Sequence, residues 1–304
     1  KFKKPLELLS PAKNLEAGKA AINFGADAVY IGAPKFGARA VAGNSLNDIG
    51  QLIAYAHRYH ARVYAAFNTI LFEEELEEAR RMLNGLISTG IDAIIIQDMG
   101  ILQMGLPPVE WHASTQAHNA TPEKVRFLEQ SGFRRIILAR ELSLEEIRGI
   151  RATTTADLEF FVHGALCVSM SGQCYLSLAA GGRSGNRGVC AQPCRKRYEL
   201  RDASGNLVTA PTHLLSLKDL DLSDHLPELA EAGISSFKIE GRMKDLNYVK
   251  NITAWYRQKL DAFLDGHPRY RKSSSGDTLF DFEPDPAKTF SRGSTTYFLE
   301  GRRK

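Results

Sequence analysis

The sequence contains no apolar run near the roughly 18 residues of a membrane-crossing helix. Its opening basic residues, Lys1 to Lys4, lead into an apolar patch that is broken at once by Glu7, Ser10 and Pro11, unlike a secretory leader. A cytoplasmic location without membrane contact is the expectation. No Walker-type phosphate loop and no G-x-G-x-x-G fingerprint occurs, which sets aside the common nucleotide-binding folds. No Ser-His-Asp or Cys-His triad can be assembled from local sequence, so such a triad would have to form between distant residues. The net charge of +4 is too small to imply nucleic-acid binding by itself. Cysteine is scarce as well: the chain has four in 304 residues, and all of them fall between Cys167 and Cys194.

That clustering is the most informative feature present. Thiols stay reduced in the cytosol, where grouped cysteines hold metal more often than they form disulfides. Cys167, Cys174, Cys190 and Cys194 follow the spacing C-x6-C-x15-C-x3-C. Structural zinc sites usually use two tight pairs, and only the second pair here is tight. Iron–sulfur clusters accept wider spacing because their corners lie several ångströms apart. Iron–sulfur, zinc, and redox or packing thiols all remain open on spacing alone. Pro193 and the intervening glycines suit a tight loop in any of these cases. The surrounding stretch from His163 to Arg201 carries Arg183, Arg187, Arg195, Lys196, Arg197 and Arg201 against Glu199, a local balance of +5. This is either a solvated basic loop or a surface for an anion or RNA.

Elsewhere a helix-like stretch, a glycine and a β-branched run recur, as in Gly25-Ala-Asp-Ala-Val-Tyr-Ile, Gly90-Ile-Asp-Ala-Ile-Ile-Ile, Gly132-Phe-Arg-Arg-Ile-Ile-Leu and Gly233-Ile-Ser-Ser-Phe-Lys-Ile. The glycine serves as a helix-ending residue and the run as a buried parallel strand. Strands are predicted near Leu6–Leu9, Ala28–Ile31, Arg62–Phe67, Ala93–Ile96, Val109–Ala113, Arg135–Leu138, Leu158–Val162 and Ser236–Ile239. Helices are predicted over Asn14–Phe24, Leu46–Tyr59, Glu73–Ser88, Pro122–Ser131, Leu144–Ala152 and Asn247–Leu264. This α/β pattern predicts a (β/α)₈ TIM-like barrel over residues 1–266, with a cysteine-rich insertion at 164–212 between strands seven and eight. The connection after strand four is too short for a full helix. Residues 267–304 form a polar tail, read as a strap or the start of a further domain.

Active sites of such barrels lie at the C-terminal ends of the strands. The candidates there are Gln97 and Asp98, His112, Arg140, His163, and Lys238, Glu240 and Arg242; Arg39 lies in the loop after strand two. Lys238 and Glu240, two apart on one strand, face the same side and form either an internal ion pair or a charge pair that positions substrate. Arg242, Arg39 and Arg140 offer guanidinium groups for a carboxylate or phosphate, with Glu141 expected to neutralise Arg140. His112 and His163 are candidates for acid, base or ligand, or are simply satisfied by hydrogen bonds. Arg183 and Arg187 would give the cysteine loop a cationic rim.

The stretch from Glu159 to Ser177 resembles the signature of peptidase family U-thirty-two, the collagenase-like proteins. Glu159, Phe161, Gly164-Ala165-Leu166-Cys167, Gly172, Cys174, Leu176 and Ser177 match it without departure. The likeness extends to Leu6-Glu-Leu-Leu-Ser-Pro, Gly25-Ala-Asp-Ala-Val-Tyr-Ile-Gly, His112-Ala-Ser-Thr-Gln and Phe237-Lys-Ile-Glu-Gly-Arg, and so covers essentially the whole chain. Gln97-Asp-Met-Gly-Ile, Gly182-Arg-Ser-Gly-Asn-Arg-Gly and Arg292-Gly-Ser-Thr are similar to one branch that forms 5-hydroxycytidine in large-subunit ribosomal RNA. Relatives of that branch act on transfer-RNA uridine or hydroxylate ubiquinone. The resemblance implies an RNA base hydroxylase, ribosomal RNA or its precursor as partner, prephenate as co-substrate, and a [4Fe–4S] cluster on the four cysteines. It also implies the catalytic N-terminal part of a longer protein, in keeping with a chain that does not open on Met and closes on Gly301-Arg-Arg-Lys304. On this reading Arg242, Arg39 and Lys238 hold the carboxylate-rich donor or an RNA phosphate, while Gln97, Asp98 and His112 shape the base pocket. A peptidase, and a non-catalytic iron–sulfur or RNA-binding module, are the other classes considered.

Overall fold

The computed structural model describes residues 3–38 and 44–302. Seven parallel strands pair in chain order: β1 (Lys4–Ala12), β2 (Ala28–Gly32), β3 (Arg62–Phe67), β4 (Ala93–Ile96), β5 (Glu110–Ala113), β6 (Arg135–Ile137) and β7 (Asp157–Gly164). Helices α1 (Leu15–Asn23), α2 (Leu46–His57), α3 (Leu76–Ser88), α4 (Pro122–Gln130) and α5 (Leu144–Arg151) fill the connections and bury their apolar stripes against the sheet. After β4 a 3-10 turn, Met99–Gln103, replaces a helix, as the short connection predicts.

Local chemistry sets the element ends. Asn14, Ser45 and Thr121 each accept a backbone N–H of the helix they start, and Ser143 and Glu146 form a reciprocal capping box. The glycines of the recurring motif (Gly25, Gly90, Gly132 and Gly233) all take positive φ just beyond a helix, where a side chain would be strained.

Beyond β7 the chain leaves the barrel. It forms α6 (Leu176–Gly181), an antiparallel hairpin of β8 (Tyr198–Arg201) and β9 (Leu207–Thr212), and β10 (Asp219–Asp221), which returns antiparallel to β7. Helix α7 (Leu226–Glu231) then leads into β11 (Ile234–Ile239), which pairs in parallel with both β7 and β1 and closes the eight-stranded barrel. Helix α8 (Leu246–Gly266) packs its buried face on the wall, including Ile252, Tyr256 and Leu260. The last segment is a strap on the barrel. Its β12 (Tyr270–Lys272) pairs with the start of β1, and its β13 (Ser294–Thr295) pairs with β10. Among the described residues no helix is long and apolar enough to cross a membrane.

Helix-facing strand positions carry the apolar core, including Leu8, Val29, Ile94, Ile136 and Phe237. The lumen is charged. Glu7 of β1 accepts from Tyr64 Oη of β3 at 2.5 Å, from Ser236 Oγ of β11 at 2.8 Å and from the Arg135 guanidinium of β6. β11 lies beside β1, but β3 and β6 do not, so Tyr64 and Arg135 reach Glu7 across the barrel lumen. Arg135 reaches Glu159 of β7 at 3.3 Å, and Glu159 accepts from Lys238 Nζ at 2.6 Å. Burial by itself raises the Glu7 carboxyl, but Arg135, Tyr64 and Ser236 outweigh it and hold its pKa at about 2.

Candidate active site

Above this network lies a cavity of about 430 Å³ at the C-terminal ends of the strands. Its floor and walls include Tyr30, Asn68, Ser114, Phe161 and Lys238, and one side is the cysteine loop. Cys167, Cys174, Cys190 and Cys194, all from this one loop, line it and are all half-buried. Burial pushes the Cys174 thiol up against an opposing backbone bond from Leu176, and Cys167 beside it adds to the rise. Burial likewise raises Cys194, with Arg195 opposing. A donor set made only of thiols is soft and suits iron–sulfur or zinc. Among the described residues, no three His, Cys, Asp or Glu side chains close on one point as ligands of a single ion.

The loop is seated by backbone contact and by arginines. A Cβ on Gly172 would stand 1.9 Å from the Gln116 carbonyl oxygen, so only glycine lets the two segments touch. Ser171 donates its N–H to Glu141 at 2.5 Å and its Oγ at 3.1 Å. Arg187 forms a bidentate pair with Glu75 at 2.6 and 2.9 Å and lies 4.2 Å over the Phe72 ring. Arg195 donates to Leu166, Ser216 and Leu217, and Arg183 donates to the Val189 carbonyl at 2.9 Å. The expected cationic rim is corrected for Arg187, which acts here as a brace of the loop with its guanidinium turned onto Glu75, while Arg183 is exposed and donates its Nε to the loop backbone.

Charge partners also differ from those the sequence indicates. Lys238 pairs with Glu159 and sits 4.3 Å over the Tyr30 ring, rather than pairing with Glu240. Burial lowers its pKa, against the attraction of Glu159. Glu240, one residue past β11, faces Arg140 at 3.6 Å. Arg140 also stacks 4.1 Å over Phe161, while Glu141, its expected partner, is occupied by Ser171. Arg242 is buried with its guanidinium 5.6 Å over Tyr30. Among the described lining residues, six are cations (Arg140, Arg195, Lys238, Arg242, Lys244 and Arg292) and Glu240 is the one carboxylate. Arg39 lies outside the described residues.

Other candidates are placed away from the cavity. His112 is fully buried below it, 2.8 Å from Glu110 and edge-on to Tyr64, and burial lowers its pKa. His163 turns outward, 3.3 Å from Tyr256 Oη on α8 and 3.9 Å from Asp221. Asp98 caps the 3-10 turn, accepting from Gly100 at 2.8 Å and from Leu71 at 2.9 Å. Gln97 donates to the Gln116 carbonyl at 3.1 Å, so it supports the wall without lining it. Sequence reasoning missed Tyr30, Phe161, Glu7, Arg135 and Glu159. A visible signal existed for three of them: Glu7, Arg135 and Glu159 interrupt or open runs that are otherwise apolar, in strands buried on both faces.

Comparison with known proteins fits this architecture. The chain is 54% identical over 298 residues to the 23S rRNA 5-hydroxycytidine C2501 synthase of Escherichia coli, covering 98% of this chain and 46% of that protein. It is 38% identical over 271 residues to the tRNA hydroxylation protein P1 of Bacillus subtilis, covering 86% of this chain and 64% of that protein. The chain thus spans about half the length of the first relative and under two thirds of the second. The solved structure of the U32 peptidase Mk0906 shares the fold at a TM-score of 0.52 and 14% identity, covering 79% of this chain and 95% of that one. With residues 13–304 matching the model of Peptidase family U32 as well, the chain belongs to that family.

Proposed function

We propose that this chain is the catalytic barrel of a cytoplasmic RNA base hydroxylase that forms 5-hydroxycytidine in large-subunit ribosomal RNA. The observation that carries the reading is the cavity itself, with four thiols on one wall and six cations around it. Cys167, Cys174, Cys190 and Cys194, four thiols on one cavity wall, hold a [4Fe–4S] cluster, a soft centre that such a donor set suits. When bound, the cluster supplies one-electron chemistry beside the substrate.

The remaining steps belong to protein groups. Arg140 and Arg242, with Lys238 beneath them, grip the carboxylates of a small co-substrate, the prephenate implied by the family likeness. Arg140 is set by Phe161 and Glu240, and Lys238 by Glu159 and Tyr30, so neither has to be ordered when the ligand arrives. Asn68 donates to Ser114 Oγ at 3.0 Å and accepts from Ala38, fixing polar groups on the wall that faces the base. Proteolysis is less well supported, because His112 and His163, the natural partners of a nucleophile, are turned away from the cavity.

Two measurements test this function. Protein purified without oxygen should contain iron and sulfide and show a visible iron–sulfur spectrum, and Cys190→Ala should lower both; zinc without sulfide overturns the cofactor. Ribosomal RNA from a strain lacking the gene should lose one hydroxylated cytidine by mass analysis, restored by the full-length protein but not by its Arg140→Ala form. Unchanged RNA in the deletion strain overturns the substrate.

A further inference from the structure

The strap places an exposed aromatic ring at the cavity mouth. Phe290 is 67% exposed and lines the opening together with Lys244 and Arg292. Single apolar residues on a surface are ordinary, but this ring is held between charges. Lys244 Nζ lies 4.9 Å from its centroid and Arg292 Cζ 5.1 Å. Both cations are anchored. Lys244 donates to the Phe290 carbonyl at 3.1 Å, and Arg292 pairs with Asp219 at 3.2 Å. The backbone is fixed too, by the Asp219 N–H donating to the Gly293 carbonyl and by the pairing of β13 with β10.

We propose that Phe290 is a stacking platform for a nucleobase of single-stranded RNA, with Lys244 and Arg292 facing the flanking phosphates. This rests on the RNA reading given above. A flat apolar face flanked by cations matches the two surfaces of an unpaired nucleotide, its base and its phosphate. A base to be modified must leave its stack to enter an enclosed cavity, and its neighbour then needs a new stacking partner at the entrance. An acidic protein partner would use the cations and leave the ring idle. The ring is contributed by a segment distant in sequence from the cysteine loop, so the mouth is assembled from two unrelated parts of the chain.

The test uses oligocytidine as probe, with the Phe290→Trp, Phe290→Ala and Lys244→Gln variants. Stacking should quench the fluorescence of F290W beyond any change in the wild-type protein, which has two tryptophans of its own. F290A should bind roughly 5- to 150-fold more weakly, the range of one aromatic–base stack. K244Q should lower the slope of log affinity against log salt by about one. If wild type and F290A bind equally, the platform is overturned and RNA binding stands. If F290W is quenched as well by heparin, an acidic polymer without bases, the site is an anion patch and the proposal fails. If wild-type protein fails to bind oligocytidine at low salt, the RNA reading itself fails and the platform with it.

Discussion

Arg135 and Arg187 each join two parts of this molecule through carboxylates, yet their settings are opposite. Arg135 is buried on the barrel axis, reaching Glu7 and Glu159 and standing 5.3 Å from the Tyr64 ring. Arg187 is 26% exposed, and its carboxylate partner is Glu75 on the neighbouring loop. In the first setting water cannot replace a lost partner, so each charge depends on the others. In the second, water and salt stand in readily. The lumen is therefore a rigid support, whereas the cysteine loop is held on by separable contacts.

Arg135→Met should break this contrast most sharply. It leaves Glu7 and Glu159 buried without that cation, and removing one member of a buried ion network costs about 3–5 kcal/mol. Urea unfolding at neutral pH measures it, and a loss under about 1 kcal/mol would show that the lumen is wet or rearranges.

The next effect is a response to acid. The Glu7 carboxyl is held at about 2 in the folded protein against an ordinary value of 4.5. A depressed folded pKa means that its stabilisation is complete above the unfolded value and is lost as pH falls from about 4.5 towards about 2. The loss is on the order of 3 kcal/mol. Urea midpoints measured down this range should fall for wild type and fall less steeply for Glu7→Gln, which isolates Glu7 from other carboxylates such as Glu110. Parallel curves would contradict the assignment.

Arg187→Ala is the smallest effect, at most about 1 kcal/mol for a pair this accessible to solvent. The urea midpoint should barely move, while limited proteolysis should cut between 183 and 192 faster than in wild type. A large drop in the midpoint would place the loop within the cooperative unit of the barrel and dissolve the contrast.

Four of the eight strands, β2, β4, β6 and β11, were readable as apolar, mostly β-branched runs placed after a helix-ending glycine, and the others as short apolar runs between helical stretches. The convergence of the cysteines on one cavity follows from where their loop departs, at the end of β7. Partner choice was not readable. Spacing of two places Lys238 and Glu240 on one face, but it says nothing about the neighbouring strand, and Glu159 on β7 is nearer to Lys238 than its own strand-mate. His163 shows a second limit. Alternation from Glu159 and Phe161 points it inward, but the register between β7 and β11 slips between Phe161 and His163, and the extra residue turns the ring towards α8. The role of Arg187 was hidden because local charge counts do not include Glu75, over a hundred positions away in sequence. Phe290 carried no periodic signal, since it lies in an irregular strap.

That strap also sets an order of assembly. During synthesis the barrel wall can close once β11 has emerged, and the cysteine loop is made earlier still. The segment bearing Phe290 and Arg292 reaches the mouth only when β13 finds β10, near the end of the chain described here. A molecule whose barrel closes before that pairing forms would hold its thiols at an unfinished entrance, so the mouth depends on a contact made by one of the last-made segments described here.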